Sequence, residues 1–273
     1  GVPLMETGPE FKIEVSILKD VATVMIDTTG SSLFKRGYRT EKGGAPIKEN
    51  MAAAILQLSN WYPDKPLIDP TCGSGTFCIE AAMIARKMAP GLRRSFAFEE
   101  WNWVSDRLIQ EVRTDAAKKI NREIELDIMG CDIDARMVEI AKANSQAAGV
   151  AGDITFKQMR VQDLRTDKIN GVIISNPPYI TTEECGKLMP EVKDHEPMLA
   201  LDGKEDGLYF YKKIIKEAKN YLNPDGMLAF EIGYDQGEAV KNLMEAQDFD
   251  CVEIKKDLAG LDRLVFGFAR EGE

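Results

Sequence analysis

From Leu67 onward the chain alternates short apolar stretches with longer amphipathic ones, and this rhythm admits few folds. Leu67-Ile68 reads as a buried strand and Ser74 to Met88 as a helix. Further strands are expected at 125–131, 153–158, 171–175 and 226–232. Helices are expected near 105–121, at 134–147 (closed by Gly149), at 207–221 and at 236–247. Strands alternating with helices predict a parallel sheet covered on both faces. Two last strands, near 250–256 and 262–269, have only Asp257 to Leu261 between them, so they should pair antiparallel. The expected fold is therefore α/β, with a mostly parallel seven-stranded sheet whose last strand is reversed.

Upstream, residues 11–28 alternate apolar and polar around Lys19-Asp20, the pattern of a β-hairpin. Ser31 to Gly44 reads as a polar connection, and Pro46 as the opening of a helix running to about Ser59. These features divide the chain into an N-terminal hairpin appendage (1–45) and a main domain (46–273).

Composition narrows the context. With 273 residues, 44% of them hydrophobic, the chain can bury a full core. No apolar stretch approaches the roughly 20 residues that span a bilayer. The start, Gly1-Val2-Pro3-Leu4, lacks the basic-then-apolar pattern of a signal peptide and resembles a truncation point. Five cysteines without a C-x-x-C pair, beside the single His195, argue against a zinc site and for buried thiols in a reducing, cytoplasmic setting. The net charge is −10, and from Asn176 onward 12 basic residues face 21 acidic ones. That excess argues against a long RNA track in this third, since unspecific binding draws on Lys and Arg. It leaves a protein substrate or a locally held nucleotide open. Small basic groups occur at Lys35-Arg36 with Arg39, and at Arg93-Arg94.

Candidate site residues fall at strand ends. Asp69-Pro70-Thr71-Cys72-Gly73-Ser74-Gly75 follows the first strand of the sheet, where open α/β sheets bind ligands. Gly73 and Gly75 let backbone approach a ligand, although an ordinary tight turn looks the same. Asp132, after the second strand, stands where an acid takes ribose hydroxyls; a helix N-cap or turn acid is the plainer alternative, and Asp134 is the better cap. Asp163 follows the third strand and can accept from an adenine amino group while Leu164 shields the ring, or it can simply be a solvated loop acid.

Asn176-Pro177-Pro178-Tyr179 follows the apolar run Gly171 to Ser175. Two prolines fix φ and remove two N–H donors, so the turn is rigid and presents carbonyls. The Asn176 side-chain oxygen and the Pro177 carbonyl can each accept from one NH₂ group, and Tyr179 offers an aromatic face to a planar amide or base. A merely rigid Pro-Pro turn is the alternative. His195, between two acids, is better read as structural than as a base. The aromatic loop Phe96, Phe98, Trp101 and Trp103 can stack a base but more simply packs in the core, and Lys212-Lys213 with Lys216 read as a solvated helix face.

These motifs resemble two families. Residues of about 7–165 are similar to the catalytic domain of bacterial ribosomal-RNA guanine-N2 methyltransferases. The matching stretches are Thr7-Gly8-Pro9-Glu10, Lys35-Arg36-Gly37-Tyr38-Arg39, Ala45-Pro46-Ile47-Lys48-Glu49-Asn50 and Asp69 to Phe77. Members normally carry an upstream RNA-binding THUMP domain, to which no stretch here corresponds. From about Asn176 to Gly267 the chain instead resembles HemK, the glutamine methyltransferase of peptide release factors. It does so through Asn176 to Ile180, Pro190-Glu191-Val192, His195-Glu196-Pro197, Leu199 to Gly203, Glu231 to Gly237 and Lys256 to Arg263. Lys204 stands where that family has a second glycine, and HemK's helical N-terminal domain has no counterpart.

The two resemblances change over between about 165 and 176, which suggests an engineered hybrid more than a natural fusion or a divergent relative. Both imply a Rossmann-like class I methyltransferase using S-adenosylmethionine and acting on a nitrogen. The expected cofactor set is Asp69, Thr71, Cys72, Gly73, Ser74, Gly75, Asp132, Ile133, Asp163, Leu164 and Asn176, and the expected acceptor set is Asn176, Pro177, Pro178 and Tyr179, with no metal. The HemK-like turn favours release-factor glutamine N5 as substrate. The alternatives are guanine N2 of ribosomal RNA, or a scaffold that binds cofactor without turnover.

Overall fold

The computed structural model describes residues 8–39, 46–59, 61–164, 166–167, 169–188 and 198–270. Among these the strands are β1 (Lys12–Leu18), β2 (Val21–Asp27), β3 (Leu67–Asp69), β4 (Ile128–Asp132), β5 (Ile154–Gln158), β6 (Val172–Ser175), β7 (Met227–Glu231), β8 (Phe249–Lys256) and β9 (Asp262–Ala269). The helices are α1 (Glu49–Leu58), α2 (Thr76–Ala85), α3 (Asp106–Lys118), α4 (Ala135–Ala148), α5 (Thr182–Cys185), α6 (Met198–Leu201), α7 (Tyr209–Ala218) and α8 (Gly237–Glu245). No helix among the described residues is long and apolar enough to cross a membrane.

Strands β3 to β9 form one sheet in the order β5-β4-β3-β6-β7-β9-β8. The pairs β3–β4, β3–β6, β4–β5 and β6–β7 are parallel, while β9 runs antiparallel to both β7 and β8. The reversal is local in origin. The Asp257 carboxylate accepts the amides of Ala259 and Leu261, and Gly260 takes φ +81°, so the chain turns straight back.

The central strands are buried at every residue, which is why they read as continuous apolar runs rather than alternating ones. Successive side chains still go to opposite faces. Leu67, Val172, Ile174 and Ala229 pack with Ile55, Phe77, Ile79 and Ala141 of α1, α2 and α4. Ile68, Ile173, Leu228 and Phe230 pack with Tyr211, Ile214 and Val240 of α7 and α8. Helix α4 has the predicted boundaries: Asp134 accepts the Arg136 amide as N-cap, and Gly149 closes the helix at φ +76°. Helix α1 begins later than Pro46, at Glu49.

The hairpin forms as expected, with Lys19 and Asp20 at φ 50° and 60° in its two-residue turn. It docks through the aromatic loop. Phe11 stacks on Trp101 at 5.0 Å, the Trp101 indole donates to the Glu10 carbonyl, and the amides of Ala97 and Phe98 donate to Thr29 and Thr28. The aromatic loop is thus structural.

The polar connection 31–44 is not simply solvated. Tyr38 is 1% exposed and donates to Glu80, Arg36 lies beside Glu80, and Arg39 donates to Thr76 and to the Ile47 carbonyl. Arg94 donates to the Ser31, Ser32 and Lys35 carbonyls. These basic groups are therefore committed to internal partners. Four of the five cysteines are buried; Cys251 is exposed, contrary to the buried-thiol reading, because it sits at an irregularity of edge strand β8 with φ 50°.

Two buried carboxyls make stability depend on pH. Burial pushes Glu231 up to about 8 against the pull of Arg263, and pushes Glu80 up to about 7 against Arg36 and the Tyr38 hydroxyl. Each folded-state value lies above the unfolded one, so the native state binds the extra proton. Their contribution is complete below the ordinary glutamate range and is lost as pH rises through 7 to 8. Urea denaturation should show stability falling from about pH 5 to about pH 8.5, and Glu231→Gln should flatten that fall. An unchanged slope in the variant would show that Glu231 does not carry it.

Candidate active site

The order of strands places the site. Strand β3 pairs with β4 on one side and β6 on the other, so the connections leave in opposite directions and a crevice opens at the carboxyl ends of β3 and β6. In the parallel register Leu67 faces Val172 and Ile68 faces Ile173. The turn after β3 and the turn after β6 are consequently neighbours, although a hundred residues separate them in sequence. A hydroxyl–hydroxyl hydrogen bond of 2.5 Å between Thr71 and Ser175 joins them directly.

Both turns open on one cavity of about 510 Å³. From the first come Asp69, Thr71, Cys72, Gly73 and Ser74; from the end of β4 come Asp132 and Ile133; from the second come Asn176, Pro177, Pro178 and Tyr179. The first turn is held from several sides. The Asp132 carboxylate accepts the amides of Gly73 and Asp134, both at 2.9 Å, the Cys131 carbonyl accepts the Cys72 amide, and Asn144 donates to the Ser74 carbonyl. Asp132 thus fills its turn-acid role while still facing the cavity. Gly73 has φ +52°, and a Cβ there would meet nothing nearer than the Met137 methyl at 3.9 Å, so its missing side chain leaves the cavity open.

Asp69 is 2% exposed and its carboxyl is pushed well above the usual carboxylate range by burial, offset in part by the Thr71 amide; the nearby Asp132 raises it further. Burial likewise raises Asp132. A buried acid and a half-buried one facing one cavity favour a ligand that brings positive charge and hydroxyl donors. On the other turn, the Asn176 side chain is half-buried and has no hydrogen-bond partner among the described residues, so its oxygen stays available.

Three expected cofactor residues do not line the cavity. Gly75 caps α2 behind the turn at φ +83°. Asp163 ends a 3-10 turn and pairs with Arg160 at 2.6 Å. Leu164 is buried beneath that turn, and its carbonyl accepts the Tyr221 hydroxyl. The wall there is built from Arg160, Val161 and Gln162 instead.

Other lining residues were not anticipated: Pro46 and Ile47 ahead of α1, Met137, Met159, and Tyr209, Phe210 and Lys213 of α7. Lys213 borders the cavity while remaining exposed, as a solvated helix face predicts, its ammonium 4.7 Å from the Tyr209 ring centroid. The helical spacing of Phe210, Lys213 and Ile214 was the available signal. His195 falls outside the described residues, as do Pro190-Glu191-Val192, Glu196 and Pro197. Among the described residues no cluster of His, Cys, Asp and Glu is arranged to hold a metal ion.

Comparison with known proteins gives a consistent picture. The family model described as "UPF0020: RMKL-like, methyltransferase domain" matches residues 36–189. YpsC of Bacillus subtilis (strain 168), named provisionally as an RNA methyltransferase, is 51% identical over 174 residues, covering 64% of this chain and 45% of that protein. The crystal structure of SMU.472 complexed with SAH aligns over 100% of this chain and 65% of its own at 45% identity, with a TM-score of 0.75. A Listeria monocytogenes protein, named as a predicted N6-adenine-specific DNA methylase, aligns over 98% of this chain and 63% of its own at 37% identity and a TM-score of 0.78. The chain thus spans about half the length of its curated relative and under two thirds of these solved structures. The hybrid reading finds no support, because the family model spans residues 36–189, across the proposed changeover, and the two solved structures align over 100% and 98% of the chain. Nor does any of these matches point to HemK.

Proposed function

From a chain that belongs to the UPF0020 family, RMKL-like methyltransferase domain, we propose an enzyme that methylates an amino nitrogen of an RNA base, with guanine N2 of ribosomal RNA as the leading candidate. The observation that carries this reading is the shared cavity lined by both the Asp69–Ser74 turn and the Asn176–Tyr179 turn. The name of YpsC supports RNA as the substrate class. Release-factor glutamine, whose carboxamide has the same donor geometry, is the outcome that the substrate test must separate.

The cofactor assigned to this cavity is S-adenosylmethionine, which supplies an electrophilic methyl group on a sulfonium. The two acids fit it: buried Asp69 would hold the ammonium of its amino-acid part and half-buried Asp132 its ribose hydroxyls. Exposed Ile133 and the Met137 and Met159 side chains provide apolar contact for a flat ring. Asn176 accepts one hydrogen of the acceptor NH₂ through its side-chain oxygen, and the Pro177 carbonyl accepts the other. Held this way, the nitrogen lone pair is directed along the line of transfer, and the two acceptors stabilise the positive charge that develops on nitrogen. Tyr179 offers its ring to the base. No strong base is needed before attack, because the departing proton turns acidic once the methyl has moved.

Transfer of labelled methyl from S-adenosylmethionine, to in vitro-transcribed ribosomal RNA and to purified release factor in parallel, tests the substrate. Label in RNA, recovered as N2-methylguanosine, is the expected result; label only in release factor overturns it. A more limited expectation concerns Asp132. Asp132→Asn should weaken S-adenosylmethionine binding by about 10- to 100-fold in calorimetry, since hydrogen bonds to a charged acceptor contribute roughly 1.5–3 kcal/mol. Unchanged affinity would remove Asp132 from the cofactor set.

A further inference from the structure

The acceptor turn has few donors of its own. Pro177 and Pro178 have no N–H to donate, so the turn depends on donors brought to its carbonyls from elsewhere. Gln236, the residue preceding α8, supplies one: its Nε2 donates to the Tyr179 carbonyl at 3.0 Å and reaches the Gly207 carbonyl at 3.5 Å. Its Oε1 accepts the Gly233 amide at 3.2 Å, which fixes the direction of the carboxamide. Tyr211, fully buried, sets its hydroxyl against the same oxygen at 3.5 Å and donates to the Glu231 carbonyl at 3.1 Å.

A second support lies against the same backbone. The Ile180 amide donates to the Leu201 carbonyl at 3.0 Å, and the Gly203 amide to the Ile180 carbonyl at 2.7 Å. A Cβ on Gly207 would stand 2.4 Å from the Tyr179 oxygen, and one on Gly203 would stand 2.8 Å from the Tyr179 Cα. The two glycines are there because the supporting loop is already in contact. Gln236 itself does not line the cavity.

We propose that Gln236 is a positioning residue, whose donated hydrogen bond to the Tyr179 carbonyl holds the acceptor turn in its reactive orientation. The proposal rests on the reading that this turn grips the acceptor nitrogen. It also explains why a glutamine, with one donor end and one acceptor end, stands at this place. The acceptor end is fixed to the α8 entry and the donor end to the catalytic turn, so the two move as one body.

Two substitutions separate positioning from simple structural support. Gln236→Leu removes every hydrogen bond of the carboxamide. Gln236→Glu keeps the acceptor for the Gly233 amide, but when ionised cannot donate to the Tyr179 carbonyl. In both variants amide exchange over residues 179–186 should quicken about tenfold or more while the rest of the chain is unchanged. The kcat for labelled methyl transfer to in vitro-transcribed ribosomal RNA should fall about 10- to 100-fold. KM for the RNA and Kd for S-adenosylhomocysteine should stay within about twofold. A Gln236→Glu protein that behaves as wild type, or unchanged exchange over 179–186 in both variants, overturns the proposal. Exchange is read without substrate, so it stands apart from the assignment of the turn itself, which Asn176→Ala tests.

Discussion

Asn176→Ala should lower methyl transfer by about 10³-fold while S-adenosylmethionine binds within about threefold of wild type. The expectation follows from when the contact matters. The amino group of a base has a delocalised lone pair, so it is a poor nucleophile until the nitrogen becomes tetrahedral. Asn176 and the Pro177 carbonyl engage the two hydrogens most strongly as that happens, and such differential contacts act on kcat rather than on ground-state affinity. The cavity is walled on its cofactor side by residues of other strand ends, Asp69 and Asp132, which the substitution does not touch. Single-turnover kinetics with labelled cofactor, beside calorimetry, separates the two quantities. Loss of cofactor affinity equal to the loss of rate would show that Asn176 serves the cofactor instead.

Gly75→Ala should destabilise the folded chain by about 2–4 kcal/mol, which is roughly a 4–12 °C drop in Tm for a domain of this size. Two costs add. Gly75 has φ +83°, which an L side chain adopts only under strain. Its new Cβ would also lie 2.9 Å from the Phe156 ring and 3.0 Å from the Ala141 methyl, in a part of the core with no slack. Gly73→Ala is the informative partner. It has the same handedness of backbone but open space around it, so the loss of stability should be smaller and cofactor affinity should suffer more, because the new methyl projects toward the cavity. Thermal unfolding of both variants with and without S-adenosylhomocysteine checks this. Equal loss of stability in the two would contradict the packing explanation.

The sheet was legible because its signal is periodic and redundant. Buried, mostly apolar strands of four to five residues, the Asp134 cap and the Gly149 stop are each local, and each appears where the sequence placed it. The site was legible as far as it consists of turns directly following strands. Asp69 to Ser74, Asp132 and Asn176 to Tyr179 all meet at the cavity, since parallel pairing of β3 with β4 and with β6 puts these strand ends side by side.

What sequence did not reveal depends on the third dimension. Whether Asp163 faces the cavity or Arg160 is decided by one 3-10 turn. Lys213 is exposed as its composition suggests, and only the docking of α7 against β6 and β7 brings it to the cavity's border. The connection carrying Arg36, Tyr38 and Arg39 looks like a polar loop, because buried ion pairs and surface charges have the same composition. The change of family between 165 and 176 rested on motif likeness, whereas the family model spans that stretch and the solved structures align over nearly the whole chain.

Amide exchange with and without saturating S-adenosylhomocysteine probes most directly whether the two turns enclose one ligand. Residues 71–76, 132–134 and 179–180 should slow together, with the β1–β2 hairpin and α3 unaffected. Protection confined to the hairpin or α3, or protection of the first turn with no change at Tyr179 and Ile180, would mean that the asparagine turn does not border the nucleoside.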